Sequence, residues 1–263
     1  MIVDSMTHEE VYREIERDYQ NLNRWVERQC NECRRYSIKQ DRKNFPILLT
    51  DNYTSPRRIQ YGLMVILPNK NGYYTYTYAL RQTPHGKYIY LCKSYEDSRI
   101  PKLVFIPHAL KRYVERSCNE HTGDDLIISM LIRTINCVLS RNQRIGSKSV
   151  RYKGEELITL CTREGAWLGK KDGDIFVVNT FITYDMTSGL QAEVLIPHQE
   201  AFKRGHDAAD DLILKFNNRS TLRSNQPIKR KENESKICCS KHNHSQVRTM
   251  DVPFPASTVP SQG

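Results

Sequence analysis

Three residues recur at four-residue spacing in the stretch Phe105-Ile106-Pro107-His108-Ala109-Leu110-Lys111-Arg112-Tyr113-Val114-Glu115-Arg116. Pro107 suits the first turn of a helix, where its missing N–H is not needed. Each four-residue step turns a helix by about 40° past a full rotation. His108, Arg112 and Arg116 therefore share one broad face. An imidazole exchanges protons near neutral pH. A guanidinium holds phosphate oxygens through a fork of donors. Together they suit a site that handles a phosphodiester. The same spacing also describes a basic, solvated helix face, and spacing alone does not separate the two.

The surrounding pattern predicts the elements that position this helix. Thr7-His8-Glu9-Glu10 reads as a capping box. Val11, Ile15, Leu22, Val26, Cys30 and Cys33 continue it as one long amphipathic helix ending near Tyr36. Residues 37–44 form a polar connector. Arg58 to Leu67, Tyr73 to Arg81 and Lys87 to Lys93 read as three strands of a meander, separated by the turn residues Pro68 to Gly72 and Pro84-His85-Gly86. The alternating Tyr74, Tyr76 and Tyr78 could stack on bases, but cross-strand packing is the favoured reading. Residues 94–101 form a polar loop, and the helix opened by Pro107 stops near Asn119.

Thr122-Gly123-Asp124-Asp125 opens a second, strongly apolar helix with acidic residues at its positive end. It runs to a basic segment, 141–148. Short strands follow at Ser149 to Tyr152, Glu156 to Cys161, Gly165 to Gly169 and Asp174 to Tyr184. The last is almost continuously apolar and β-branched, which predicts a central position. A final helical region begins near Pro197, and beyond Phe216 the composition predicts a disordered tail. The expected fold class is α+β, with helices packed on antiparallel sheet, a long N-terminal helix and a disordered C-terminal tail. Three segments are expected: 1–100, helix plus meander; 101–216, two helices, antiparallel sheet and a terminal helix; and 217–263, a disordered basic tail.

Composition narrows the function. The 263 residues carry a formal charge of +10. Eight Lys/Arg against three Asp/Glu from Asn217 onward leave half of that excess on the tail. Such a balance fits nucleic-acid contact, and it also fits solubility. No apolar run is long enough to span a membrane, and the first residues do not read as a signal peptide. A cytoplasmic protein is expected. The eight cysteines do not read as a disulfide framework. Zinc needs four ligands, so beside Cys30 and Cys33 a second half-site would have to be drawn from Cys238-Cys239 with His242 or His244. Cys30 and Cys33 lie on or beside an apolar helix face, which favours packing. No metal or other cofactor is expected. There is no GxxxxGK[ST] loop, no strand–GxGxxG–helix unit, no HExxH and no GxSxG.

The His-x-x-x-Arg-x-x-x-Arg helix, the second helix and the strands ending in an apolar strand with a hydroxyl residue resemble the barnase–EndoU–colicin–RelE superfamily of small ribonucleases. The likeness covers residues 103–186 and is nearest to the phage and mobile-element branches, where a His-Ala-x-x-Arg-x-x-x-Arg helix opens the domain. It implies metal-independent RNA cleavage, in which a ribose 2′-OH attacks the adjacent phosphorus and leaves a cyclic phosphate. By position, it implies His108 as general acid or base, Arg112 and Arg116 as holders of the scissile phosphate, and Thr180 as the residue orienting phosphate or ribose. The second proton-transfer group stays open among Tyr184, His121 and His198, none at an informative spacing. RNA is the expected partner, and a toxin-like role admits a protein neutraliser. Competing readings are a non-catalytic nucleic-acid-binding or accessory protein of a mobile element, and an adaptor docking through its N-terminal helix.

Overall fold

The structure, a computed structural model, describes residues 2–92, 102–117, 121–139, 147–152, 155–189 and, from 192 to 200, all but 194 and 198. The described residues belong to one compact unit. Two helices, α1 (His8–Arg17) and α2 (Tyr19–Ile38), precede β1 (Ile47–Thr54), β2 (Gln60–Asn69), β3 (Gly72–Thr83), β4 (Gly86–Cys92) and β5 (Lys102–Phe105). Then come α3 (Pro107–Ser117), α4 (Gly123–Leu139), β6 (Ser147–Tyr152), β7 (Glu155–Cys161), β8 (Gly165–Asp172) and β9 (Ile175–Thr183). The strands form one nine-stranded sheet in the order β1-β2-β3-β4-β5-β9-β8-β7-β6. Only the β5–β9 pairing is parallel.

Side chains alternate between the two faces of a strand, and both faces of the part of the sheet formed by β2, β4, β5 and β9 are covered. On one face Met64, Ile66, Ile89, Leu91, Leu103, Phe105, Phe176 and Val178 pack with Ala109 and Tyr113 of α3 and with Ile127, Met130 and Leu131 of α4. On the other, Leu63, Val65, Tyr90, Val104, Ile175 and Val177 pack with Val11, Ile15, Leu22 and Trp25 of α1 and α2. Burial on both faces is why β2 and β9 read as apolar runs rather than as polar–apolar alternation. β9 lies between β5 and β8, the central position its composition predicts.

The Thr7–Glu10 capping box is present. The expected single long helix is instead broken at Asp18, which ends α1 and starts α2. Asp18 is fully buried. Its carboxylate accepts from the Tyr61 hydroxyl at 3.1 Å and from the Asn21 amide at 2.8 Å. A buried carboxylate needs such donors, and they fix the break. Apolar periodicity runs through Asp18 and could not mark it.

Of the tyrosines on β3, Tyr78 is buried, while Tyr74 is 59% exposed. Tyr78 lies opposite Gly62 of β2. A Cβ at Gly62 would overlap the Tyr78 ring, so only glycine lets that ring lie flat on the neighbouring strand. Gly62→Ala is expected to cost about 1–3 kcal/mol, read as a lower urea midpoint with an unchanged slope.

The N-terminal arm is tied to β3 and β4 through Arg81, a buried residue that donates to the carbonyls of Met6, at 2.9 Å, and of Asp4. His8 Nδ1 lies 3.1 Å from the Tyr90 hydroxyl, and the His8 ring lies beside that of Tyr88. Burial, with the Arg81 cation and against the opposing pull of Asp172, holds the His8 pKa below its ordinary 6.5. The unfolded chain therefore protonates this group at higher pH than the folded one. Its contribution to stability is complete above the ordinary value and is lost as pH falls through the lower folded value. Urea titrations across that window should show this loss, and His8→Gln should flatten it.

Both β1 and β5 went unrecognised in the sequence. Asp51-Asn52 inside β1 are turn formers, and β5 is only four residues long. The boundary drawn at residue 100 falls between β4 and β5, which are neighbours in the same sheet. The polar loop at 94–101, the basic residues 141–146, most of the final helical region and the tail 217–263 lie outside the described residues. No helix among the described residues is long and apolar enough to cross a membrane.

Candidate phosphodiester site on helix 3

The parallel β5–β9 pairing sets α3 in place. Phe105 ends β5, and α3 begins two residues later with Pro107. The Ile106 N–H donates to Val178 O of β9 at 3.3 Å, so the chain turns into the helix directly over β9. The buried side of α3 is Ala109, Leu110 and Tyr113. Tyr113 packs edge-on against Phe181 of β9 and beside Trp167 of β8, both at 5.1 Å between ring centres. These contacts fix the rotation of the helix, and that rotation leaves His108 exposed.

His108 and Arg112 meet. Arg112 Nε lies 3.4 Å from His108 Nε2, and one terminal nitrogen of Arg112 pairs with Glu115 at 2.8 Å. A guanidinium only donates. In this arrangement the imidazole presents its Nε2 lone pair to Arg112, and Nδ1 carries the proton. A phosphate that drew Arg112 toward itself would release the Nε2 lone pair to act as a base.

Arg116 differs from the other two. One of its terminal nitrogens donates to the backbone carbonyl of Phe181 on β9. The shared helix face therefore divides into an outward pair, His108 and Arg112, and a third cation tied to the sheet. Arg116→Ala is expected to lower the melting temperature by several degrees, since a charge-assisted bond to a strand carbonyl is lost (about 1.5–3 kcal/mol). Arg112→Ala, at a half-exposed site, should leave the melting temperature almost unchanged. Thermal unfolding of the two variants side by side separates the roles.

Thr180 and Tyr184 are not brought to this pair. Phe181 faces α3, so its neighbour Thr180 faces away from it. β8 and β9 also shift register here, with Leu168 opposite Thr180 and Gly169 opposite Val178. Asn179 is the extra residue, and this bulge resets which side chains reach α3. Tyr184 is buried with Cys161, Ala166 and Leu195, and its hydroxyl donates to Thr162 O at 2.5 Å. It has no route to a proton on bound substrate. The roles the resemblance implies for Thr180 and leaves open for Tyr184 are thus not met at His108. His121 lies two residues before the start of α4, and His198 lies outside the described residues.

A second histidine, in the β3–β4 turn, lies one residue from a close contact with the first residue of α3. Gly86, at the tip of the β3–β4 hairpin, has φ +122° and approaches Pro107 so closely that a Cβ there would lie 3.0 Å from the proline Cβ. His85 precedes that glycine and His108 follows that proline. The two imidazoles therefore flank one contact, and both are exposed. The tip is held by the Thr83 hydroxyl, which donates to Gly86 O at 2.9 Å and accepts from His85 N at 3.2 Å. Lys87 next to it pairs with Asp124 at the start of α4, at 3.3 Å. Nothing in local spacing links residue 85 to residue 108. The Pro-His-Gly tripeptide was the only available signal.

Cys30 and Cys33 are both buried, as their place on the helix predicts. Among the described residues no cluster of three or more His, Cys, Asp or Glu could hold a metal ion, and Cys238 and Cys239 lie outside them. No protein-family model, curated protein or solved structure matches the chain.

Proposed function

We propose that the protein is an endoribonuclease of mobile-element or toxin type, cleaving RNA by acid–base chemistry at His108 without a metal. The observation that carries this reading is the exposed His108–Arg112 pair, with a second imidazole, His85, one residue from the Gly86–Pro107 contact. In the proposed reaction Arg112 binds the scissile phosphate. His108 Nε2 takes the 2′-OH proton, and the 2′ oxygen attacks phosphorus. The bond to the 5′ oxygen breaks, and protonated His85 supplies the proton that this oxygen needs. The products are a cyclic phosphate and a 5′ hydroxyl. Two proton-transfer groups and a cation for the added negative charge meet the requirements of such a step.

The test is incubation of the purified protein with total RNA in the presence of a chelator, followed by analysis of fragment ends. Cyclic-phosphate ends are expected. Intact RNA, or fragments ending in linear phosphates only, would overturn the proposal.

The alternative is a non-catalytic nucleic-acid-binding protein of a mobile element. The net charge of +10 and the exposed Lys111 beside Arg112 favour it. It predicts binding that weakens steeply with salt and no cleavage.

A further inference from the structure

A cavity of about 490 Å³ lies between α2 and the β1–β2 edge of the sheet, on the face away from α3. That volume falls in the range of small-molecule sites. Leu49, Leu63 and Val65 supply apolar wall, and Tyr36 of α2 supplies an aromatic ring. The charged groups are Glu32 of α2 and Asp51 of β1. None of the lining residues is basic, in a chain whose formal charge is +10.

Asp51 is held in place. One carboxylate oxygen accepts from the Trp25 indole at 3.2 Å, and the other accepts from the backbone N–H of Asn52 at 2.9 Å. Each oxygen keeps a further acceptor position. Glu32 lies across the cavity from β1, on the exposed side of α2. Cys33 also lines the cavity. Burial, then Cys30, Glu32 and Asp51, push its thiol pKa up to about 11. The thiol is therefore neutral and offers no thiolate. Two carboxylates, an aromatic ring that attracts cations through its face and an aliphatic wall form a set complementary to one kind of ligand.

We infer that this cavity binds a small organic cation with an apolar body, of the protonated arylalkylamine or alkylamine class. The ammonium sits between Glu32 and Asp51, and the hydrocarbon part lies against Leu49, Leu63 and Val65. This site is independent of the chemistry at His108.

Trp25 reports on it through its hydrogen bond to Asp51. The chain has two tryptophans. Trp167 is buried under α3 and α4, whereas Trp25 holds the Asp51 carboxylate. Phenethylamine and its uncharged counterpart phenethyl alcohol are titrated into the full-length protein, with tryptophan emission and calorimetry as readouts. Saturable binding of the amine is expected, with the alcohol at least about tenfold weaker. Glu32→Gln and Asp51→Asn should each weaken the amine by about tenfold or more. Glu32 is exposed, so its variant keeps the test decisive if Asp51→Asn perturbs folding. Absence of saturation into the millimolar range would overturn the inference. So would equal binding of amine and alcohol, or an affinity that Glu32→Gln leaves unchanged.

Discussion

His108→Ala is expected to reduce RNA cleavage by about 10²–10⁴-fold, the usual worth of one positioned proton-transfer group. The effect should fall on the chemical step. His108 is exposed at the start of α3 and packs into neither apolar cluster, so its removal leaves the melting temperature unchanged. Binding of RNA should also persist, because Arg112 keeps its charge. The comparison with His85→Ala is informative. Groups acting in one step are far from additive, so the double variant should be little worse than the weaker single variant. Full activity in His108→Ala would show that the reaction runs elsewhere. Full activity in His85→Ala alone would keep His108 and remove the hairpin from the mechanism.

The second large effect is structural. Trp167 has no exposed surface. Its ring lies 4.8 Å from that of Phe181 and 5.1 Å from those of Phe105 and Tyr113. Its indole N–H donates to Thr134 Oγ1 at 3.0 Å, and the Thr134 hydroxyl in turn donates to Met130 O at 2.8 Å. One side chain thus joins β5, β8, β9, α3 and α4. Trp167→Ala is expected to cost about 3–5 kcal/mol, a large fraction of the stability of an ordinary domain. Urea denaturation followed by circular dichroism measures it. Trp167→Phe should recover much of the loss, since it restores ring packing and forfeits the indole bond. A cost below about 1 kcal/mol for the alanine variant would show that this cluster is not what seats α3.

The two variants meet at α3. Tyr113 rests on Trp167 and Phe181, and His108 lies on the opposite side of the same helix. Loosening the cluster should therefore reduce cleavage as well as stability, whereas His108→Ala reduces cleavage alone.

Much of the fold was legible because local chemistry and tertiary packing agreed. Thr7 and Glu10 cap α1, Pro107 opens α3, Asp124 and Asp125 lie in the first turn of α4, and the apolar run of β9 lies centrally in the sheet. Failures came where distant groups decide. The break at Asp18 depends on Tyr61, more than forty residues away. The four-residue β5 becomes a strand because β4 and β9 flank it.

The candidate site divides in the same way. The sequence by itself determined that His108 and Arg112 stand one helical turn apart, because that follows from 3.6 residues per turn and a proline start. It also determined that α3 has an apolar side to bury. Only the tertiary structure decided what each residue faces. Packing of Tyr113 on Trp167 and Phe181 rotates α3 so that Arg116 meets the Phe181 carbonyl. A one-residue bulge at Asn179 helps turn Thr180 to the far side of the sheet, and the close approach of Gly86 to Pro107 sets His85 and His108 one residue to either side of a single contact. Strand register, sheet order and ring packing are long-range quantities, and residue spacing carries no record of them.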